Sequence, residues 1–218
     1  MNYSALAPTL DTKERILDTA ERLFAEHGFE ATSLRAITAA AGANLAAVNY
    51  HFQSKDSLVH AVIQRRMAPI NSQRLALLDA CEKSAGDGPL ALDKIIEAFL
   101  LPIIGAERNE LEHFGPILAR LYTEPKEFSL GMFERHIRPV SLRFIAAFRR
   151  AIPDLPEEDL IWRLHFAVGT ITHIVGAPHI LRAISGGRCD PSNIPVVLRQ
   201  LCAFIQGGLQ SPLAEKHS

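Results

Sequence analysis

Cysteine is scarce. Cys81, Cys189 and Cys202 are the three in a chain of 218 residues, far apart, odd in number and without a CxxC pair. That excludes a disulfide framework and a thiolate zinc site, and leaves reduced thiols as the reading. Net charge is also lacking: 23 Lys and Arg stand against 24 Asp and Glu. No global field draws this chain to nucleic acid, so DNA binding would have to rest on a local surface. Long hydrophobic runs are missing as well. The most apolar stretches, 98–106 and 166–177, are short and are interrupted by Pro102 and His173, which argues against a membrane span. The first residues, MNYSALAPTLDTKER, have no basic start followed by an apolar core, so no signal peptide is expected and a cytoplasmic protein is.

Chemistry is equally sparse. There is no glycine-rich phosphate loop, nucleophile elbow or HExxH, so neither an enzyme nor a cofactor is indicated. Glu157, Glu158 and Asp159 directly follow Pro156 and are explained by a helix start, with acids at the positive end of the dipole. His113, His136, His165, His173 and His179 invite a metal reading. His165 and His173, however, are eight apart with no acid three or four residues from either, so polar core or pocket histidines are expected and no metal site.

What is present is helical periodicity. Apolar residues recur at three and four almost throughout, and no run alternates with period two, which predicts an all-α fold. Residues 1–10, with Pro8 and no helical period, read as an arm. SAGDGP at 84–89 marks a loop, and the domain junction falls in the long helix before it. The expected division is a DNA-binding domain over 11–66 and a larger body over 67–210. Body helices are expected over 90–104, 110–122, 126–152, 156–185 and 191–208.

In the first part, Asp11 and Glu14 have capping-box spacing, and Ile16, Leu17, Ala20, Leu23 and Phe24 form one stripe that Gly28 ends, with Phe29 as a hydrophobic clasp. Thr32-Ser33 opens a second helix carrying Leu34, Ile37 and Ala41. Gly42 stops it, and Asn44 caps a third short helix whose Val48 and Phe52 face inward. Two short helices, small residues at their junction and a glycine turn describe a helix-turn-helix. The side chains the core does not use are Asn44, Ala47, Asn49, Tyr50 and His51, a mixture suited to base edges and phosphates. His51 is open between that role and packing at the helix end. The charges over 11–66 balance: Lys13, Arg15, Arg22, Arg35, Lys55, Arg65 and Arg66 face Asp11, Glu14, Asp18, Glu21, Glu26, Glu30 and Asp56. Affinity then depends on where the cations stand.

The string ILDTAERLFAEHGFEATSLRAITAAAGANLAAVNYHFQSKDSLVHAVI resembles the TetR family of bacterial regulators. It carries A-x-x-L-F-x-x-x-G-F-x-x-T-[ST] and I-x-x-x-A-G, and departs once from Y-x-H-F-x-x-K-x-x-L, where Asn49 stands at the first aromatic position and Tyr50 follows. Which of the two grips phosphate is left open by that shift. The resemblance, over residues 13–66, implies double-stranded operator DNA as partner, Lys55 as a phosphate ligand and Arg35 as another candidate. It also implies a homodimer formed by the last two helices. Its two-fold axis would set the recognition helices about 34–36 Å apart, the spacing of successive major grooves.

The body segments EEDLIWRLHFAVGT and RLY at 120–122 resemble the fatty-acid-responsive branch of the family. A small apolar ligand, a fatty acid or acyl-CoA, is therefore expected among the body helices, lined by a subset of Phe99, Phe114, Leu118, Tyr122, Phe144 and Phe166. Arg120, Arg163 or His165 could meet its head group, with a salt bridge the equal alternative for each. The competing function is a helical enzyme or carrier, and a third is a structural dimerisation protein. Neither needs polar readers exposed on a short glycine-bounded helix.

Overall fold

In the computed structural model, which describes residues 11–106, 108–121 and 123–213, helices carry the chain and no strand occurs among the described residues. Two sequence expectations, the arm over 1–10 and the ligand contact of Tyr122, lie outside those residues. The order is α1 Thr12–His27, α2 Leu34–Ala41, α3 Leu45–Phe52, α4 Lys55–Ala85, α5 Leu92–Ile104, α6 Arg108–Leu121, α7 Lys126–Met132, α8 Arg138–Ala151, α9 Glu157–Gly176, α10 Pro178–Ile184 and α11 Ile194–Gln210. The chain divides into two compact units between Arg65 and Arg66, inside α4. Pro69 lies one turn beyond; lacking an N–H, it leaves the Arg65 carbonyl without its helical donor.

The first unit closes around Ile16, Ala20, Phe24, Ile37, Val48, Phe52, Leu58 and Val62, all buried. Such short α2 and α3 are not expected to be stable alone and depend on this core. Gly28 ends α1 at φ 87°, a conformation open to glycine, and Phe29 packs on Phe24 with ring centroids 5.3 Å apart. Buried Thr32 ties the loop back by donating to the Gly28 carbonyl at 2.7 Å. One expectation fails: Asp11 precedes α1, but its exposed carboxylate makes no capping bond. Arg65 secures α1 to α4, donating to Asp18 at 2.7 Å and to Glu21, whose side chain is 3% exposed, at 2.5 Å.

In the second unit α11 packs on α5 and α9, α6 on α9, and α5 on α8. Two predicted helices are each broken. The one expected over 126–152 contains a π-helical turn at Phe133–Ile137, which ends two residues before Pro139. Asn71 of α4 donates from Nδ2 to the carbonyl of buried His136 there at 2.8 Å. The one expected over 156–185 ends at Gly176. Pro178 offers no N–H to the Ile174 carbonyl and holds Ala177 outside helical geometry, at φ −138° and ψ 50°. α10 then leaves α9 at 83°. Among the described residues no single helix is long and apolar enough to cross a membrane.

α6 and α9 cross almost backbone to backbone. A methyl group at Gly115 would collide with the Val175 carbonyl oxygen, and one at Gly176 would lie 2.8 Å from the Ala119 Cβ.

Candidate nucleic-acid interface and ligand cavity

The reading head is built by two caps and one turn. Ser33 Oγ accepts from the Ala36 N–H at 3.1 Å and starts α2. Gly42, at φ 60° and ψ 36°, stops it, and the Ala43 N–H returns to the Thr38 carbonyl at 2.9 Å, closing a Schellman-type end. Asn44 Oδ1 then accepts from the Ala47 N–H at 2.8 Å and starts α3. The amide oxygen of Asn44 is therefore held by the cap, and its amino group is left for a base or phosphate.

Val48 and Phe52 turn inward, and the opposite face of α3 carries exposed Asn49 and Tyr50 with half-buried Ala47 and His51. Tyr50 is 84% exposed, an unusual state for a large aromatic ring. His51 lies edge-on to Tyr50 at 5.0 Å and tilted against Phe52 at 6.0 Å, so it packs between them at the helix end. Lys55, the first residue of α4, donates from Nζ to the Glu30 carbonyl at 3.0 Å, which fixes the ammonium beside the loop preceding α2. Arg35 is exposed on α2. Arg65 and Arg22, by contrast, are engaged with acids of α1.

Sequence reasoning missed Gln53. It holds φ 66° and ψ −42°, and the Ser54 N–H donates to the Phe52 carbonyl at 2.7 Å across it. This is a γ-turn with positive central φ, a strained form. Ser54 Oγ accepts from the Ser57 N–H at 3.0 Å and starts α4. The turn sets the exit of α3, and nothing in the residue type Gln signals it.

In the second unit a half-open cavity of about 430 Å³ lies among helix ends. Ile104 of α5, Pro116 of α6, Ile174 and Val175 of α9, and Val197 of α11 form its walls; His179 and Arg182 of α10 and Ser192 supply polar groups. None of the described residues expected to line a pocket lines this one. Phe114, Leu118 and Phe144 are buried core. Phe99 lies 5.1 Å from the Phe144 ring and under the Arg74 guanidinium at 4.4 Å, and the Arg74 Nε donates to the Phe99 carbonyl at 2.8 Å. Arg120 is half-buried near the end of α6 and is not one of the lining residues.

Arg163, expected at a head group, instead caps α11. Its Nη1 donates to the carbonyls of Leu209 and Ser211, each at 2.8 Å, and its Nη2 to Pro212 at 3.1 Å. Those end-of-helix acceptors are the natural partners of a guanidinium. His165 and Phe166 are exposed on the outside of α9. With Ile161 and Trp162 they make an apolar face on which Phe166 is 62% exposed. On α11 the buried row is Val197, Leu201, Ile205 and Leu209. Its outer face carries Phe204, 67% exposed, and Gly207 and Gly208, where an added methyl group would meet nothing.

The chain was compared with known proteins. A family model described as bacterial regulatory proteins of the tetR family matches residues 16–62, and one described as a tetracyclin repressor-like C-terminal domain matches residues 97–208. The chain is similar to the HTH-type transcriptional repressor KstR2 of Rhodococcus jostii, with 25% identity over 195 residues, covering 83% of this chain and 93% of that protein. It is similar to the HTH-type nicotine-responsive transcriptional repressor HdnoR of Paenarthrobacter nicotinovorans, with 26% identity over 143 residues, 65% of this chain and 72% of that one. Among solved structures, the regulator PfmR from Thermus thermophilus superposes with a TM-score of 0.61 at 20% identity, covering 95% of this chain and 100% of the other. The fatty acid degradation regulator FadR from Bacillus halodurans gives 0.65 at 12% identity, covering 94% and 100%. At these identities the two structures share the fold alone.

Proposed function

The chain belongs to the TetR family of bacterial transcriptional regulators, and from that premise we propose that it is a dimeric repressor. Residues 11–66 read a roughly palindromic operator, and residues 67–210 dimerise and bind a small apolar ligand that lowers operator affinity.

The observation that carries this reading is the α2–α3 arrangement: two capped short helices joined by Gly42, with Asn49 and Tyr50 exposed on the second. Exposed amide and phenol groups on the outer face of a third helix have no packing purpose, and they suit base edges in a major groove. Tyr50, His51, Ala47 and the amino group of Asn44 complete the surface, and Lys55 and Arg35 supply phosphate contacts. The position of Lys55 on the Glu30 carbonyl supports a fixed phosphate clamp, because the ammonium keeps further donors free.

Dimerisation is supported by the outer face of α9 and α11. Trp162, Phe166 and Phe204 are each more than half exposed, beside Gly169, Gly207 and Gly208, where a facing helix meets no side chain. A contiguous apolar face of this kind marks an interaction site, and a two-fold pairing buries the same patch on both copies. The ligand class is not set by membership, since one relative is nicotine-responsive and one structural neighbour regulates fatty acid degradation.

Selecting a site from a randomised duplex pool tests the proposal. The selected duplex should bind at least about a thousandfold more tightly than its scrambled counterpart at physiological salt. Equal affinity for both would overturn it.

A further inference from the structure

We propose that the cavity among α5, α6, α9, α10 and α11 takes a small amphipathic carboxylic acid, its apolar body between Ile174 and Val197 and its carboxylate on Arg182. The inference rests on the body being the ligand-binding unit and adds the location, size and charge of the ligand.

Size comes first. At about 30 Å³ for a water-sized group, a cavity of about 430 Å³ holds roughly fourteen such groups. That fits a medium-length acyl chain or a fused ring pair, and the nucleotide of a coenzyme A ester would have to lie outside it. The walls select for apolar matter, because Ile104, Pro116, Ile174, Val175 and Val197 offer no side-chain hydrogen bond.

The polar groups select the head. Among the described lining residues there is no acid; there are Arg182, His179 and Ser192. Arg182 makes one contact, Nη2 to Asp190 Oδ1 at 2.7 Å, which leaves most of its five donors for a carboxylate. Asp190 does not depend on the guanidinium alone. The same oxygen already accepts from Ser192 Oγ at 2.6 Å and from the Ser192 N–H at 3.0 Å. These two bonds, ahead of the one from Arg182, hold its carboxyl well below the usual carboxylate range. Arg182 can therefore turn to a ligand without orphaning Asp190.

The elements that form the cavity support a ligand-sensitive site. Its walls are the end of α9, the short α10 after the Pro178 break and the first turn of α11. α9 and α11 are the two helices that carry the outer apolar face, so an occupant touches both from behind.

Calorimetric titration of the full-length protein tests this with decanoate, 1-decanol and decanoyl-coenzyme A. Decanoate should bind at least about tenfold more tightly than 1-decanol, as expected for loss of a charge-assisted contact, and no more weakly than decanoyl-coenzyme A. Arg182→Gln should remove that preference by weakening decanoate and sparing 1-decanol. Val197→Phe should block both, and Ile174→Phe on the facing wall gives the same reading should Val197→Phe fail to fold. Three outcomes overturn the inference: no decanoate binding up to about 1 mM, equal binding of acid and alcohol, or decanoate affinity unchanged in Arg182→Gln or in whichever wall variant folds. Specific duplex binding by the ligand-free protein, measured in parallel, separates the two proposals. If it persists, a negative titration removes the carboxylate site and not the repressor.

Discussion

Replacing Gly115 by alanine tests whether the α6–α9 crossing depends on bare backbone. The new methyl group would land inside contact distance of the Val175 carbonyl oxygen, with the carbonyl carbon at 3.1 Å and Val175 Cγ1 at 3.3 Å. A side chain could rotate away, but a backbone carbonyl cannot, so the helices must separate. Overpacking of this kind costs about 1–3 kcal/mol, and the rigid partner places it toward the upper end. Alanine returns about 1 kcal/mol of helix propensity, leaving a net loss of about 1–2 kcal/mol. For a chain of this size that lowers Tm by about 2–8 °C. Gly131→Ala in α7 is the control, because nothing lies within 4 Å of its methyl group. It should raise stability by up to about 1 kcal/mol. Thermal unfolding of both, at one protein concentration because a dimer's Tm depends on it, gives the comparison. A Gly115→Ala protein as stable as Gly131→Ala would refute the close-contact argument.

Phe204→Asp, at a side chain 67% exposed in the isolated chain, should yield monomers by sedimentation and lose operator binding with them; a dimer that still binds would exclude the α9–α11 face. Asn49→Ala and Tyr50→Ala should each cost about 1–3 kcal/mol at particular base positions, read as altered preference in a mutated-site panel, whereas uniform loss at all positions would make them phosphate ligands. Lys55→Ala and Arg35→Ala should weaken all duplexes alike and each lower the salt slope by about one, and an unchanged slope would remove that residue from the interface. Gln53→Gly should relieve the γ-turn strain, worth about 1–3 kcal/mol less the entropy glycine adds to the unfolded chain. Denaturant titration would show a midpoint shifted upward, and a downward shift would contradict the strain assignment.

The reading head was legible because each of its boundaries is a local event. Ser33, Gly42 and Asn44 act within four residues of themselves, and the spacing of Leu34, Ile37, Ala41, Val48 and Phe52 declares the buried face before any tertiary contact is known. Where local chemistry had a choice, it misled: Asp11 has the spacing of a cap and leaves its carboxylate in solvent. The body was legible as helices and not as breaks, since apolar residues keep a helical period through Phe133–Ile137 and on past Pro178. The cavity was hidden for a related reason. Its walls come from five helices whose ends are remote in sequence, whereas the phenylalanines that drew attention, Phe114 and Phe144, are large enough to fill the core themselves. Arg163 was misplaced because an arginine on an apolar helix suggests an anionic ligand, and only tertiary packing brings the open end of α11 within its reach.

Capture of genomic fragments by the 218-residue chain, followed by sequencing, decides whether the α2–α3 head reads an operator. Enriched fragments should share an inverted repeat whose half-sites are centred about 10 base pairs apart, or a multiple of that, with enrichment lost in Asn49→Ala/Tyr50→Ala. Fragments retained without a shared motif and released uniformly by salt would contradict it.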